Sequence, residues 1–247
     1  MLYNTVMAGH SKWKNNLSRK TAQDKKRSSS FAKLSKAITM AVIEGGSPDP
    51  AFNPRLRVAV EKARMGSMPK DNIDRAIAKG SGPGQEQLIS LVFEIFGPGG
   101  SQLIATATTD NQNRTYGEIR TLVDRHGGKL GSTGSVSHMF SYCAYVVLDT
   151  SSAPEFGEKI LSLAEQLEAL DVAEEGAHTL IYFPYNHLHS SHQQLEKSGL
   201  SITQQPEVLY RPLVEMALSD ADQLALTTLI DLLEEHDDIQ EVYTNVS

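Results

Sequence analysis

The residues best able to do chemistry in this sequence are the lysines and arginines crowded into its first third. Residues 1–80 hold 16 Lys and Arg against 6 Asp and Glu, a net charge of +10, whereas residues 81–247 hold 7 against 24, a net charge of −17. Lys and Arg neutralise phosphates and release counterions, so this segregation indicates a polyanion-binding module on an acidic body. The candidate nucleic-acid-binding residues are Lys12, Trp13, Lys14, Arg19, Lys20, Lys25, Lys26, Arg27, Lys33, Arg55, Arg57, Lys62, Arg64, Lys70 and Arg75.

These candidates also have more ordinary interpretations. Trp13, the only tryptophan, can stack on a base or ribose, but it can equally pack onto the helices that follow, since tryptophan is usually well buried. A single charged helix face is often merely solvated. Because the whole positive surplus falls in one segment, binding is the favoured interpretation.

Residues with catalytic or metal-binding potential form no recognisable set. His187, His189 and His192 lie close together, but on a predicted surface helix with no cysteine nearby. The polar stretch from Asp110 to Arg114 is better explained by helix capping than by acid–base work. The glycine-rich residues 127–134 lack phosphate-loop spacing and predict a turn that joins domains. We therefore expect a non-enzymatic protein with no metal and no cofactor.

Composition points to a reducing compartment. Cys143 is the only cysteine, which excludes an intramolecular disulfide framework and any zinc site built from several cysteines. No stretch of the sequence approaches the apolar length of a membrane span, and residues 1–6 are too short for a signal peptide. We expect a cytoplasmic protein without membrane association.

Apolar spacing predicts a three-helix bundle after a basic arm that has no core of its own. The first helix begins beyond Ser30, the second follows Asn53 as N-cap with Pro54 at its first position, and the third runs to Lys79 with Gly80 as terminator. The charge changes sign across the linker that starts at Gly80. Residues 1–80 are therefore predicted to form the first domain.

Beyond the linker the pattern predicts an α+β fold with two domains. Residues 142–204 show the order βαββαβ of a ferredoxin-like sandwich. It is predicted as an insertion into a middle α+β domain made of residues 81–141 plus 205–247. That middle domain includes a helix whose predicted buried face carries Tyr116, Ile119, Leu122 and Val123, and a separate strand near 208–217.

The end of the chain is strongly acidic. From Ser219 onward there are eight Asp and Glu and no Lys or Arg. The acidic residues either form a solubilising face, the favoured interpretation, or face a basic protein partner. They are Asp220, Asp222, Asp231, Glu234, Glu235, Asp237, Asp238 and Glu241.

Ordered motifs along nearly the whole chain resemble the YebC/PmpR family. They begin with Ala8-Gly9-His10-Ser11-Lys12-Trp13-Lys14-Asn15, Asn53-Pro54-Arg55-Leu56-Arg57 and Met68-Pro69-Lys70-Asp71-Asn72. They continue with Gly97-Pro98-Gly99-Gly100, Thr109-Asp110-Asn111, Asn113-Arg114-Thr115, His126-Gly127-Gly128, Thr133-Gly134-Ser135-Val136 and Val242-Tyr243-Thr244-Asn245.

This resemblance implies three domains, an N-terminal helical bundle and two α+β domains with the last inserted into the middle one. It also implies nucleic acid as the partner. Bacterial members are described as DNA-binding transcriptional regulators, while a mitochondrial relative is a translational activator of cytochrome c oxidase. We expect a DNA-binding transcriptional regulatory protein, with a ribosome-associated translation factor that binds ribosomal RNA as the alternative.

The chain departs from the family pattern within the arm. Leu17 and Ser18 stand in place of an isoleucine-lysine-histidine stretch, and Ser28-Ser29-Ser30 in place of a Gly-Lys stretch. Because basic contacts are missing there, we expect weaker phosphate binding by the arm rather than a changed function.

Overall fold

The computed structural model describes residues 26–81, 87–150 and 157–247. Within this range the chain forms two compact units. One unit is Phe140–Leu213, and the other combines the described residues before it with Val214–Ser247. In the described part of the chain, no helix is both long enough and apolar enough to cross a membrane.

The larger unit opens with the three predicted helices, α1 (Lys26–Gly45), α2 (Pro54–Met65) and α3 (Lys70–Lys79). As predicted, Asn53 caps α2: its side-chain oxygen accepts the Leu56 N–H at 3.0 Å, and Pro54 takes the first helical position, where no N–H is needed. Apolar residues from all three helices meet in one core, formed by Ile38, Ala41, Val42, Leu56, Val60, Ala63, Met68, Ile73 and Ala76.

The same unit continues as an antiparallel four-stranded sheet of order β3-β1-β2-β8. Its core combines β1 and β2 side chains such as Ile95 and Leu103 with Ile119 of α4 and Leu229 of α7. The elements are β1 (Ile89–Phe96), β2 (Gln102–Thr109), α4 (Gln112–Arg125), β3 (Lys129–Leu130), α7 (Asp220–Glu235) and β8 (Ile239–Thr244).

One predicted core position of α4 is wrong. Tyr116 is 47% exposed, and the buried face of the helix carries Thr115 instead, together with Ile119 and Val123. A threonine can occupy that position because its hydroxyl is hydrogen-bonded to Thr109 and Asp238, which removes the cost of burying it.

The second unit is a ferredoxin-like sandwich, as predicted. Its element order is βαββαβ, its strand order is β5-β6-β4-β7, and every neighbouring pair is antiparallel. The elements are β4 (Phe140–Asp149), α5 (Gly157–Gln166), β5 (Asp171–Glu175), β6 (His178–Pro184), α6 (Leu188–Ser198) and β7 (Ile202–Pro212).

The last strand of this unit differs from the prediction. The two strands expected near 200–203 and 208–217 are one continuous strand, β7, so the predicted domain boundary at 204/205 lies inside it. Proline is tolerated in edge strands, and β7 is an edge strand whose pairing with β4 shifts register around Pro206. The compact unit accordingly extends to Leu213.

Candidate nucleic-acid interface

The lysines of α1 contact the acidic end of the chain. The Lys33 ammonium donates to the carbonyl oxygen of Glu234, and Lys36 donates to the carbonyl oxygen of Asp237 at 3.1 Å. Burial lowers the pKa of Lys33, an effect that the charges of Glu234, Glu241 and Asp237 oppose. Lys33, a predicted nucleic-acid contact, is therefore half-buried beside α7.

Asp238 is the centre of this contact. Its side chain is only 4% exposed, and it forms an ion pair with Lys36 of α1. It also accepts hydrogen bonds from the Thr115 hydroxyl at 2.6 Å and from Arg114 Nη2 at 3.0 Å. Burial alone would raise the pKa of Asp238, but the donors Lys36, Thr115 and Arg114 hold it well below its ordinary value. We call these four residues the Asp238 cluster.

The polar stretch at 110–114 has the capping role expected of it. The Asn111 side chain accepts the Arg114 N–H at 3.1 Å at the start of α4. Arg114 Nη2 lies 3.0 Å from a carboxylate oxygen of Asp110 and 3.0 Å from one of Asp238. These side chains are committed to helix capping and to the Asp238 cluster, a structural role.

A cleft of about 490 Å³ lies beside the Asp238 cluster. Its cationic lining residues are Lys36, Lys79 and Arg114, and its acidic ones are Asp110, Glu118, Asp237 and Asp238. With cations and carboxylates so evenly matched, the cleft has no surplus charge with which to attract a polyanion.

Ligand atoms of Glu118, His236 and Asp238 all lie within 4.8 Å of one another, a grouping that sequence reasoning missed. The His236 ring nitrogen Nε2 is 3.1 Å from a Glu118 carboxylate oxygen, and Nδ1 accepts the Asp238 N–H at 3.1 Å. Lys36 and Arg114 already supply positive charge to Asp238. Since protein cations fill the role of a metal here, we assign this group no ion.

The glycine-rich loop before β4 binds a carboxylate of the protein itself. Glu94, 6% exposed, accepts the backbone N–H groups of Gly134 at 2.6 Å and Ser137 at 2.8 Å, and that of Val136 as well. Burial alone would raise the pKa of Glu94, but these backbone donors outweigh it and lower the pKa. The backbone N–H groups of Gly134, Val136 and Ser137 are therefore engaged by Glu94 rather than open to a phosphate.

The cations of α2 and α3 are placed differently from those of α1. Arg55, Arg57, Arg64, Lys70 and Arg75 are all exposed, and Lys62 is half-buried. Within α2 there are four cationic residues and a single acidic one, Glu61. This surplus on one short helix is the most concentrated positive charge among the side chains that the structure describes.

Several of these exposed cations are held in place locally. Arg55 forms an ion pair with Glu44. Arg57 donates to the carbonyl oxygens of Pro50 at 3.2 Å and Ala51 at 3.4 Å, and Arg75 donates to the carbonyl oxygen of Asp71 at 3.1 Å. A guanidinium has five N–H donors in a planar fork, so a few protein contacts orient it while other donors can meet phosphate.

The predicted arm contacts lie outside the described residues. They are Lys12, Trp13, Lys14, Arg19, Lys20 and Lys25, and for Lys26 and Arg27 the helix is described but the side chains are not. The same holds for the side chains of His189 and His192, while His187 Nε2 lies 3.5 Å from a carboxylate oxygen of Glu168. The nucleic-acid contacts of the arm therefore stay predictions.

Two protein-family models match this chain, one over the helical bundle and one over the α+β remainder. Residues 11–83 match the model of the TACO1/YebC protein N-terminal domain, and residues 88–246 match that of the TACO1/YebC second and third domain. The chain belongs to the TACO1/YebC family. The resemblance seen in the sequence motifs is thereby confirmed.

Relatives of this TACO1/YebC chain match it over nearly its whole length. A "Probable transcriptional regulatory protein" of Enterococcus faecalis (strain ATCC 700802 / V583) is 40% identical, with 97% of this chain and 98% of that protein aligned. One of the same name from Legionella pneumophila (strain Corby) is 40% identical, covering 97% and 95%. The crystal structure of the conserved hypothetical protein Aq1575 from Aquifex aeolicus matches with a TM-score of 0.77 at 34% identity, covering 91% of each chain. The α+β fold class is therefore that of the family.

Proposed function

We propose that this chain is a non-enzymatic regulator of gene expression that binds nucleic acid through the arm and the exposed cations of α2 and α3, most simply as a DNA-binding transcriptional regulator. The observation that carries the proposal is the surplus of exposed cations on α2, at Arg55, Arg57 and Arg64. Exposed Lys and Arg side chains attract phosphate without reading sequence. The names of the bacterial relatives support a role in transcription.

One observation favours the second candidate, a translation factor that binds ribosomal RNA. Phe52 is exposed in the loop that precedes α2 and its arginines, and aromatic stacking is typical of proteins that recognise unpaired bases in RNA. The two candidates share the cationic surface and differ in the nucleic acid that it meets. Crosslinking in cells with sequencing of both bound DNA and bound RNA separates them.

The test reverses charge at Arg55 and Arg57 with R55E/R57E and measures binding to a mixed-sequence duplex DNA and a mixed-sequence RNA. Wild-type affinity should fall about a thousandfold between about 50 and 200 mM salt if roughly six phosphate contacts form. The variant should lose most of that affinity and about a third of that salt dependence, because two of roughly six phosphate contacts are removed.

The matched control is R120E/R125E on α4, where both arginines are exposed, so net charge changes equally. Its affinity should stay close to that of the wild type. Equal losses of affinity in the two variants would mean that binding depends on the net charge of the protein and not on Arg55 and Arg57. A wild-type affinity that does not change with salt concentration would overturn the proposal.

A further inference from the structure

Phe52 is an aromatic side chain presented to solvent at the tip of the helical bundle. It is 79% exposed, the highest value among the exposed large hydrophobic residues of the described chain. A single exposed apolar residue needs no explanation by itself. Two further features of this position make it different, namely the rigidity of its loop and the charge beside it.

The loop that carries Phe52 is fixed by hydrogen bonds. Asn53, 1% exposed, donates through Nδ2 to the carbonyl oxygens of Ala41 and Ser47, each at 2.8 Å. The Phe52 N–H donates to the carbonyl oxygen of Asp49 at 3.0 Å. Since these contacts hold the backbone on both sides of Phe52, little backbone freedom would be lost when its ring meets a ligand.

The charges near Phe52 are of both signs, since Asp49 belongs to the same loop and Arg55 forms an ion pair with Glu44, but a guanidinium group is fixed directly at the loop. The Arg57 guanidinium donates to the carbonyl oxygens of Pro50 and Ala51, the two residues just before Phe52. Arg55 follows Phe52 by three residues and is also exposed. An exposed aromatic side chain in a loop that also binds a guanidinium group matches the way in which proteins bind single-stranded nucleic acids, with bases stacked and the backbone tracked by cations.

We propose that Phe52 stacks on an unpaired base of a single-stranded nucleic acid while Arg55 and Arg57 contact the adjoining phosphates. This inference rests on the proposed function and narrows its ligand to a single-stranded segment of RNA or DNA. A continuous duplex keeps its base faces stacked inside the helix, so it offers phosphates to the arginines but no base face to Phe52.

The experiment measures affinities of wild type, F52A, F52W and M65A at one salt concentration. The probes are a mixed-sequence single-stranded RNA, the single-stranded DNA of the same sequence, and the corresponding duplex DNA. Met65, 78% exposed at the other end of α2, is the matched control because M65A removes a similarly exposed apolar side chain that has no aromatic face.

F52A should weaken binding to the single strands about 5- to 150-fold, the equivalent of about 1–3 kcal/mol per stacked base. Its salt dependence should stay that of wild type, because no charge is removed. F52W should retain affinity, and M65A and all duplex measurements should be unchanged. The relative loss on RNA and on DNA shows which strand Phe52 prefers.

The inference is overturned if F52A binds both single strands as tightly as wild type, if M65A loses as much as F52A, or if duplex binding falls in parallel. In each of these outcomes R55E/R57E can still abolish nucleic-acid binding, and the proposed function then holds without the stacking role of Phe52. A wild type that binds none of the three probes overturns the proposed function as well.

Discussion

The cations of α1 and those of α2 belong to one small bundle and have opposite surroundings. Lys33 and Lys36 of α1 are bound to the carbonyl oxygens and the buried carboxylate at the acidic end of the chain. Arg57 and Arg64 of α2 are exposed. A net charge counted along the sequence therefore overstates the cationic surface, because part of it is neutralised inside the protein.

The difference follows from what each cation can reach. A carboxylate that is 4% exposed, as in Asp238, is stable only with charged or hydrogen-bonding partners around it, and Lys36, Arg114 and Thr115 provide them. Arg57 instead contacts backbone oxygens of its own loop. Part of the acidic end is therefore in contact with α1 of the same chain, and a basic protein partner for the rest of it stays a prediction.

The largest effect should come from removing the buried anion. D238A removes the carboxylate that accepts hydrogen bonds from Lys36, Arg114 and Thr115. Hydrogen bonds to a charged group contribute about 1.5–3 kcal/mol each, and because Lys36 and Arg114 are partly exposed and can be solvated, the expected total loss is about 3 kcal/mol. Urea unfolding followed by circular dichroism measures the change. D237A, at the exposed neighbour, should cost about 0.5 kcal/mol or less, and similar losses for both variants would remove the distinction between buried and solvated charge.

Acidification should weaken the Asp238 cluster through its depressed pKa. Because the folded-state pKa of Asp238 lies below its unfolded value, its contribution is complete above about pH 5 and declines as pH falls below about 4. The gap in unfolding free energy between wild type and D238N should therefore narrow with acid, by up to about 1.4 kcal/mol per pH unit. A gap independent of pH between about 5 and 2 contradicts an ionised Asp238.

The smallest effects separate the two regions most sharply, since each variant removes one positive charge. K36M should cost about 1–3 kcal/mol of stability, as expected for a hydrogen bond to a charged group, and leave the salt dependence of nucleic-acid binding unchanged. R64Q should change stability by about 0.5 kcal/mol or less and reduce the salt slope by about 0.9. If K36M instead reduced the salt slope and R64Q instead reduced stability, Lys36 would belong to the nucleic-acid-binding surface and Arg64 to the structural contacts.

Local patterns in the sequence were enough to predict the helices that carry the exposed cations. Asn53 and Pro54 marked the start of α2, which is confirmed. The order βαββαβ was also recovered, because each element has its own periodicity. Helix capping and amphipathic spacing involve residues only a few positions apart, so they can be recognised in short stretches of the sequence.

What the sequence did not reveal depends on distant residues. Lys36 and Asp238 are separated by 202 positions, and no local pattern predicts that pairing. Asp238 also accepts the hydroxyl of Thr115, and this distant contact explains why Thr115 is buried although it is polar. The two strands expected near 200–203 and 208–217 proved to be one strand, β7, which contains Pro206; the edge position that tolerates this proline is a property of the assembled sheet.

The order of the Asp238 cluster along the chain has a consequence for biosynthesis. A ribosome makes Lys36 long before Asp238, so α1 emerges while its counter-anion is still untranslated. Until then Lys33 and Lys36 add to the cationic surface of the nascent bundle. Fragments that stop before Glu234 should consequently bind polyanions more strongly and less selectively than a chain that includes residues 234–238, which contact those lysines.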